Sequence, residues 1–123
     1  MIVDDEPDIV NAVKDALESE GYLVKGYTDP RVAVQELSKN SDRHALVISD
    51  IRMPGMSGFE LARRMKEVCP DVALVMMTAF EIHKAEFSLI FPSTAVCDLI
   101  TKPFTKAELI RIVRKYVGIT EQL

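Results

Sequence analysis

Five short apolar runs, residues 1–3, 22–27, 45–49, 72–77 and 96–101, alternate along the chain with stretches of helical periodicity. That alternation confines the fold more than any other feature. Strands separated by helices pair in parallel, and the helices cover both faces of one sheet. The expected architecture is α/β, a doubly wound parallel sheet of five strands flanked by five helices. In such a sheet every strand's carboxyl end falls on one edge, where open α/β folds bind their ligands. Here those ends carry chemistry: Asp4 and Asp5 follow the first run, Asp50 the third, Thr78 the fourth and Lys102 the fifth. Three carboxylates brought together repel one another unless a cation lies between them. A hard divalent ion with oxygen ligands meets that need, and magnesium, bound through one or two carboxylates plus waters and phosphoryl oxygen, fits best.

At 123 residues and 48% hydrophobic content, the chain has enough apolar material for one core and is too short for two, so residues 1–123 are expected to form a single domain. A formal charge of -4 argues against nucleic-acid binding by this domain, because the phosphate backbone is bound through clustered Lys and Arg. No apolar run approaches a membrane span, and the start is acidic rather than that of a signal peptide, which points to the cytoplasm. Cys69 and Cys97 lack ligand spacing and are expected to be buried and reduced. His44 and His83 have no partner at ligand spacing and are expected at the surface.

The first helix is expected to start at Asp5-Glu6-Pro7-Asp8, to face Ile9, Val13, Ala16 and Leu17 inward, and to stop at Gly21. The next starts at Asp29-Pro30 with Val32, Ala33 and Leu37 inside; a third opens at Gly58 with Phe59, Ala62, Met65 and Cys69 inside. The last, over about residues 105–117, is capped by Thr105, stopped by Gly118, and buries Leu109, Val113 and Tyr116. The first strand has only Met1, Ile2 and Val3, short for an interior strand, so residues are expected to be missing ahead of it. In residues 80–95, Pro92 should end any helix before it.

Four pieces together carry a family resemblance: Val3-Asp4-Asp5-Glu6, Asp50-Ile51-Arg52-Met53-Pro54-Gly55-Met56-Ser57-Gly58, Thr78-Ala79 and Lys102-Pro103-Phe104. In this order and spacing the chain resembles, over essentially its whole length, a receiver domain of a two-component response regulator, in which an aspartate accepts phosphate from a histidine kinase. The resemblance implies a flavodoxin-like strand order 2-1-3-4-5. It implies that Asp50 is the phosphoacceptor and that Asp5, Asp50 and the backbone carbonyl of Arg52 hold Mg2+, with Asp4 acting through a metal-bound water. Lys102 would contact a phosphoryl oxygen, Thr78 would donate to the phosphoryl group once formed, and the Ala79 amide would lie beside it. A cis peptide between Lys102 and Pro103 follows from the same likeness. The implied partners are a histidine kinase or phosphotransfer protein, and a second copy docking through the last two helices and strand; an output domain is absent or outside this chain. Many receivers carry an aromatic where Leu99 stands, and Leu99 is expected to stay largely buried.

Taken singly, the acidic pair reads as a helix cap and Lys-Pro as a turn; only their combination carries the assignment. Three other functions compete. A degenerate receiver would bind partners without phosphate, against which the intact Asp5, Asp50, Thr78 and Lys102 argue. An aspartate-nucleophile phosphatase of the haloacid-dehalogenase type would place a second acid two residues after the nucleophile, where this chain has Arg52. FMN binding on the same fold would want a loop rich in Ser, Thr and Gly after the first strand, where this chain has acids.

Overall fold

A computed structural model describes residues 1–79 and 96–118. The described elements run β1 (Ile2–Val3), α1 (Pro7–Glu18), β2 (Gly26–Tyr27), α2 (Pro30–Lys39), a 3-10 turn (Ser41–Arg43), β3 (Leu46–Asp50), α3 (Gly58–Val68), β4 (Ala73–Thr78), β5 (Asp98–Thr101) and α4 (Lys106–Val117). All strand pairs are parallel, in the order β2-β1-β3-β4-β5. The doubly wound sheet and its strand order are those expected. Four of the five expected helices lie among the described residues; the expectations for residues 80–95 and for His83 fall outside them.

Side chains that alternate along each strand divide the interior in two. Val3, Val47, Leu74 and Met76 pack with Ala33 and Leu37 of α2 and Leu61 and Met65 of α3. Ile2, Ile48, Val75 and Met77 pack with Val10, Val13 and Leu17 of α1 and Leu109 and Val113 of α4. The interior strands β1, β3 and β4 are apolar because helices cover both their faces.

Local differences from expectation have local causes. The run over residues 22–27 keeps its alternation, with Tyr22 buried and Leu23 98% exposed, yet only Gly26–Tyr27 pairs as a strand. Its neighbour β1 offers two residues, and pairing cannot outrun the partner. Pro7 takes the first position of α1, but no side chain caps the helix; it ends at Glu18, and Gly21 (φ 90) closes the turn beyond it. Val32 (45% exposed) and Phe59 (41%) face outward, because the buried stripes are Pro30, Ala33 and Leu37 on α2 and Gly58, Leu61, Ala62 and Met65 on α3. Cys69 is buried as expected, whereas Cys97 is exposed. Tyr116 is only half-buried; its hydroxyl donates to Asp98 Oδ2 at 2.9 Å. His44 is not a surface residue: its side chain is 6% exposed, with Nε2 3.5 Å from Glu36 Oε1. Burial holds its pKa below the ordinary value, aided by the chain's amino group and opposed by Glu36. Thr105 caps α4 as expected, in a reciprocal pair with Glu108.

Helix α1 approaches the sheet closely at Gly26, where a β-carbon would lie 2.3 Å from Val10 Cγ1. Gly26→Ala is expected to cost about 1–2 kcal/mol through overpacking and to lower the thermal midpoint by several degrees. Combining it with Val10→Ala should cost less than the sum of the single changes, which a double-mutant cycle by thermal unfolding measures.

Candidate functional site

The parallel register brings the chemical residues to one edge. Asp4 follows β1, Asp50 ends β3, Thr78 ends β4 and Lys102 follows β5. Backbone hydrogen bonds pin each end: Asp4 N donates to Tyr27 O at 3.1 Å, Ile51 N to Met77 O at 3.1 Å, and Lys102 N to Thr78 O at 2.7 Å. Their positions are therefore set by the sheet, not by loop conformation.

Asp4 is fully buried. Its Oδ1 accepts the Glu6 amide at 2.9 Å and its Oδ2 accepts Lys102 Nζ at 2.7 Å. The same ammonium lies 3.5 Å from Asp50 Oδ2. Asp50 Oδ1 accepts the Ile51 amide at 2.9 Å. One carboxylate oxygen from each of Asp4, Asp5 and Asp50 lies within 4.8 Å of the others, with Asp5 and Asp50 partly open to solvent. An all-oxygen set with three negative charges and one lysine suits a hard divalent cation.

Burial pushes the Asp50 carboxyl above the ordinary range; the Asp4 charge adds to the rise, while Lys102 and the Ile51 amide oppose it. For Lys102, burial works to lower the pKa, but the hydrogen bond to Asp4 and the charges of Asp4, Asp50 and Glu6 outweigh it and leave it raised. Lys102 therefore stays an ammonium, and Asp50 is a carboxylate whose charge is only partly offset.

Thr78 is almost wholly buried and Ala79, the next residue, is exposed, as is Arg52. The Lys102–Pro103 peptide is cis, as expected. Leu99 is half-buried, packed on the α2 and α3 side of the sheet, less enclosed than expected because β5 is an edge strand among the described residues. Two features go beyond the expectations from sequence: an ion pair and the close packing at Gly58. The Asp4–Lys102 pair spans 98 positions, and nothing local signals it. Gly58 could have been noticed, since glycine at a helix start with no turn to make points to a close backbone approach.

Comparison with known proteins agrees with this geometry. A family model described as "Response regulator receiver domain" matches residues 1–114. The response regulator SaeR of Staphylococcus epidermidis is 35% identical over 111 residues, 89% of this chain and 46% of SaeR, so the chain spans about half that relative's length. The chemotaxis protein CheY4 of Vibrio cholerae superposes with a TM-score of 0.84 at 26% identity, covering 94% of this chain and 95% of CheY4. The response regulator TrrA of Thermotoga maritima, solved in complex with Mg(2+)-BeF, superposes at 0.78 with 31% identity, covering 94% and 96% of the two chains. Strand order, acidic edge and family match converge, and the chain belongs to the response regulator receiver domain family of two-component systems.

Proposed function

We propose that residues 1–123 form one receiver unit whose Asp50 accepts a phosphoryl group from a histidine kinase or phosphotransfer protein in a Mg2+-dependent transfer. The supporting observation is the position of Lys102, within ion-pairing reach of both Asp4 (2.7 Å) and Asp50 (3.5 Å) at an edge that also gathers Asp5. An oxygen of Asp50 forms the new bond to phosphorus. The bond from phosphorus to the donor's imidazole nitrogen breaks, and its electron pair stays on that nitrogen. Lys102 turns toward the incoming phosphoryl oxygens and offsets their charge. Thr78 donates to the group once formed, with the Ala79 amide beside it. Mg2+, when bound, would neutralise further phosphoryl charge; Asp5, Asp50 and the Arg52 carbonyl would hold it. Both oxygens of Asp4 already have partners, which favours its acting through a metal-bound water.

The domain is not an enzyme with an external substrate; it promotes its own phosphorylation and dephosphorylation in the cytoplasm. Phosphorylation would change association with a partner or a second copy through the last two helices and strand; on the described part of that face Asp98 is held by Tyr116 and by Lys115 at 3.2 Å. Exposed Arg52 supplies no second acid for phosphatase chemistry.

Intact-mass analysis after exposure to a small-molecule phosphodonor, with and without Mg2+, tests the reading. One added phosphoryl group, only with divalent metal, is expected. A titration should show weak Mg2+ binding that Asp5→Ala removes or strongly reduces and Asp4→Ala affects less. No mass change would favour the degenerate receiver, and equal binding by Asp5→Ala and the parent would refute the ligand assignment.

A further inference from the structure

We propose that Gly58, the first residue of α3, is a positioning residue for Asp50; the inference rests on the phosphoacceptor reading above. Gly58 is buried, and its amide donates to the Ile51 carbonyl at 2.7 Å, closing the loop that begins at Asp50. A β-carbon on residue 58 would lie 2.7 Å from Ile51 Cα, 2.8 Å from the Asp50 carbonyl oxygen and 3.1 Å from the Ile51 carbonyl oxygen. All three atoms are backbone and cannot swing aside as a side-chain end can. Conformation does not require glycine here, since Gly58 is not among the residues with positive φ. Helix propensity opposes it, because alanine would favour the helix by up to about 1 kcal/mol. Space is what excludes a side chain.

The consequence reaches Asp50 through a single peptide. The Ile51 amide donates both to Met77 O on β4, at 3.1 Å, and to Asp50 Oδ1, at 2.9 Å. The sheet therefore holds Ile51 from one side, and the Gly58 amide holds its carbonyl from the other. A β-carbon at residue 58 must push the Asp50–Ile51 backbone away by at least about 0.7 Å to reach ordinary contact. That movement disturbs the hydrogen bond that orients the carboxylate. It also shifts the loop carrying the Arg52 carbonyl. A misplacement of about 1 Å at reacting atoms can cost about 10²-fold, so a somewhat smaller shift predicts a loss of at least about 10-fold.

Gly58→Ala is compared with Gly55→Ala. Gly55 is in the same loop at φ +83, so alanine there is strained, but its β-carbon would meet nothing within 4 Å. Both variants weaken the loop; only the first presses on Asp50. With a small-molecule phosphodonor at saturation, Gly58→Ala is expected to lower the maximal phosphorylation rate at least about 10-fold and to weaken Mg2+ binding several-fold in an NMR titration, while Gly55→Ala stays within about threefold of the parent in both. Equal effects of the two substitutions on rate and Mg2+ affinity would overturn the proposal. If the parent binds Mg2+ yet takes up no phosphoryl group, the functional reading fails alone, and the Mg2+ affinities still decide the role of Gly58. A parent that binds no Mg2+ overturns both. If Gly58→Ala does not fold, hydrogen exchange of the parent decides: the Gly58 amide should gain protection on adding Mg2+ and beryllofluoride, and unchanged exchange would contradict a link to Asp50.

Discussion

Asp50→Asn is expected to take up no phosphoryl group under conditions that modify the parent chain, a loss of at least about 10³-fold in rate, because the amide is no longer a nucleophile. The same substitution should not weaken the fold. Burial, aided by the Asp4 charge, raises the Asp50 pKa above its ordinary 3.8 against the pull of Lys102. A carboxyl with a raised folded pKa favours the fold while protonated. Its contribution is fully present below about 3.8 and is lost as pH rises through the folded value. At neutral pH without metal, ionised Asp50 therefore costs stability, by under about 1 kcal/mol given its partial exposure. Asparagine removes that charge and can still accept the Ile51 amide. Metal-free Asp50→Asn should unfold at a slightly higher temperature than the parent at pH 7, and the difference should vanish near pH 4. A lower midpoint at pH 7 would contradict the electrostatic account of this residue.

Lys102→Met is expected to have the largest effect on the metal-free fold. Fully buried Asp4 would keep the Glu6 amide at 2.9 Å but lose its only ion-pair partner among the described residues. Breaking a buried pair leaves an uncompensated charge and typically costs about 3–5 kcal/mol. The remaining amide bond and the partly open position of Lys102, 17% exposed, bring the expectation to about 2–3 kcal/mol. Removing the cation also lessens repulsion toward Mg2+, which should bind about tenfold more tightly by simple charge-pair arithmetic. Mg2+ should then raise the unfolding temperature of the variant more than that of the parent. Phosphoryl uptake should nevertheless fall steeply, because no ammonium faces the phosphoryl oxygens. Thermal unfolding across a Mg2+ series separates these effects. An unchanged metal-free midpoint together with unchanged Mg2+ affinity would show that Lys102 does not compensate the acidic cluster.

Much of the fold and candidate site was legible because parallel sheets turn sequence order into geometry. A polar residue at the end of an apolar run is delivered to the common edge whatever the loops do, which is why the sequence alone places Asp4, Asp50, Thr78 and Lys102 together. What was not legible depended on through-space contacts. The short β2 reflects the length of β1; the outward Phe59 and Val32 reflect which helical stripe the sheet selects; His44 lies buried 3.5 Å from Glu36 of α2, an approach that no local pattern signals. The Asp4–Lys102 ion pair belongs to the same class, joining residues that no local pattern connects. Leu99 is instructive in between: its inward register was readable, but its partial exposure follows from an edge strand.

Peptide mapping of the parent chain after Mg2+-dependent phosphorylation tests the central claim most directly. The phosphoryl group should be found on Asp50 alone, with Asp4 and Asp5 unmodified. A phosphoryl group on Asp4 or Asp5, or on a histidine, serine or threonine, would contradict it.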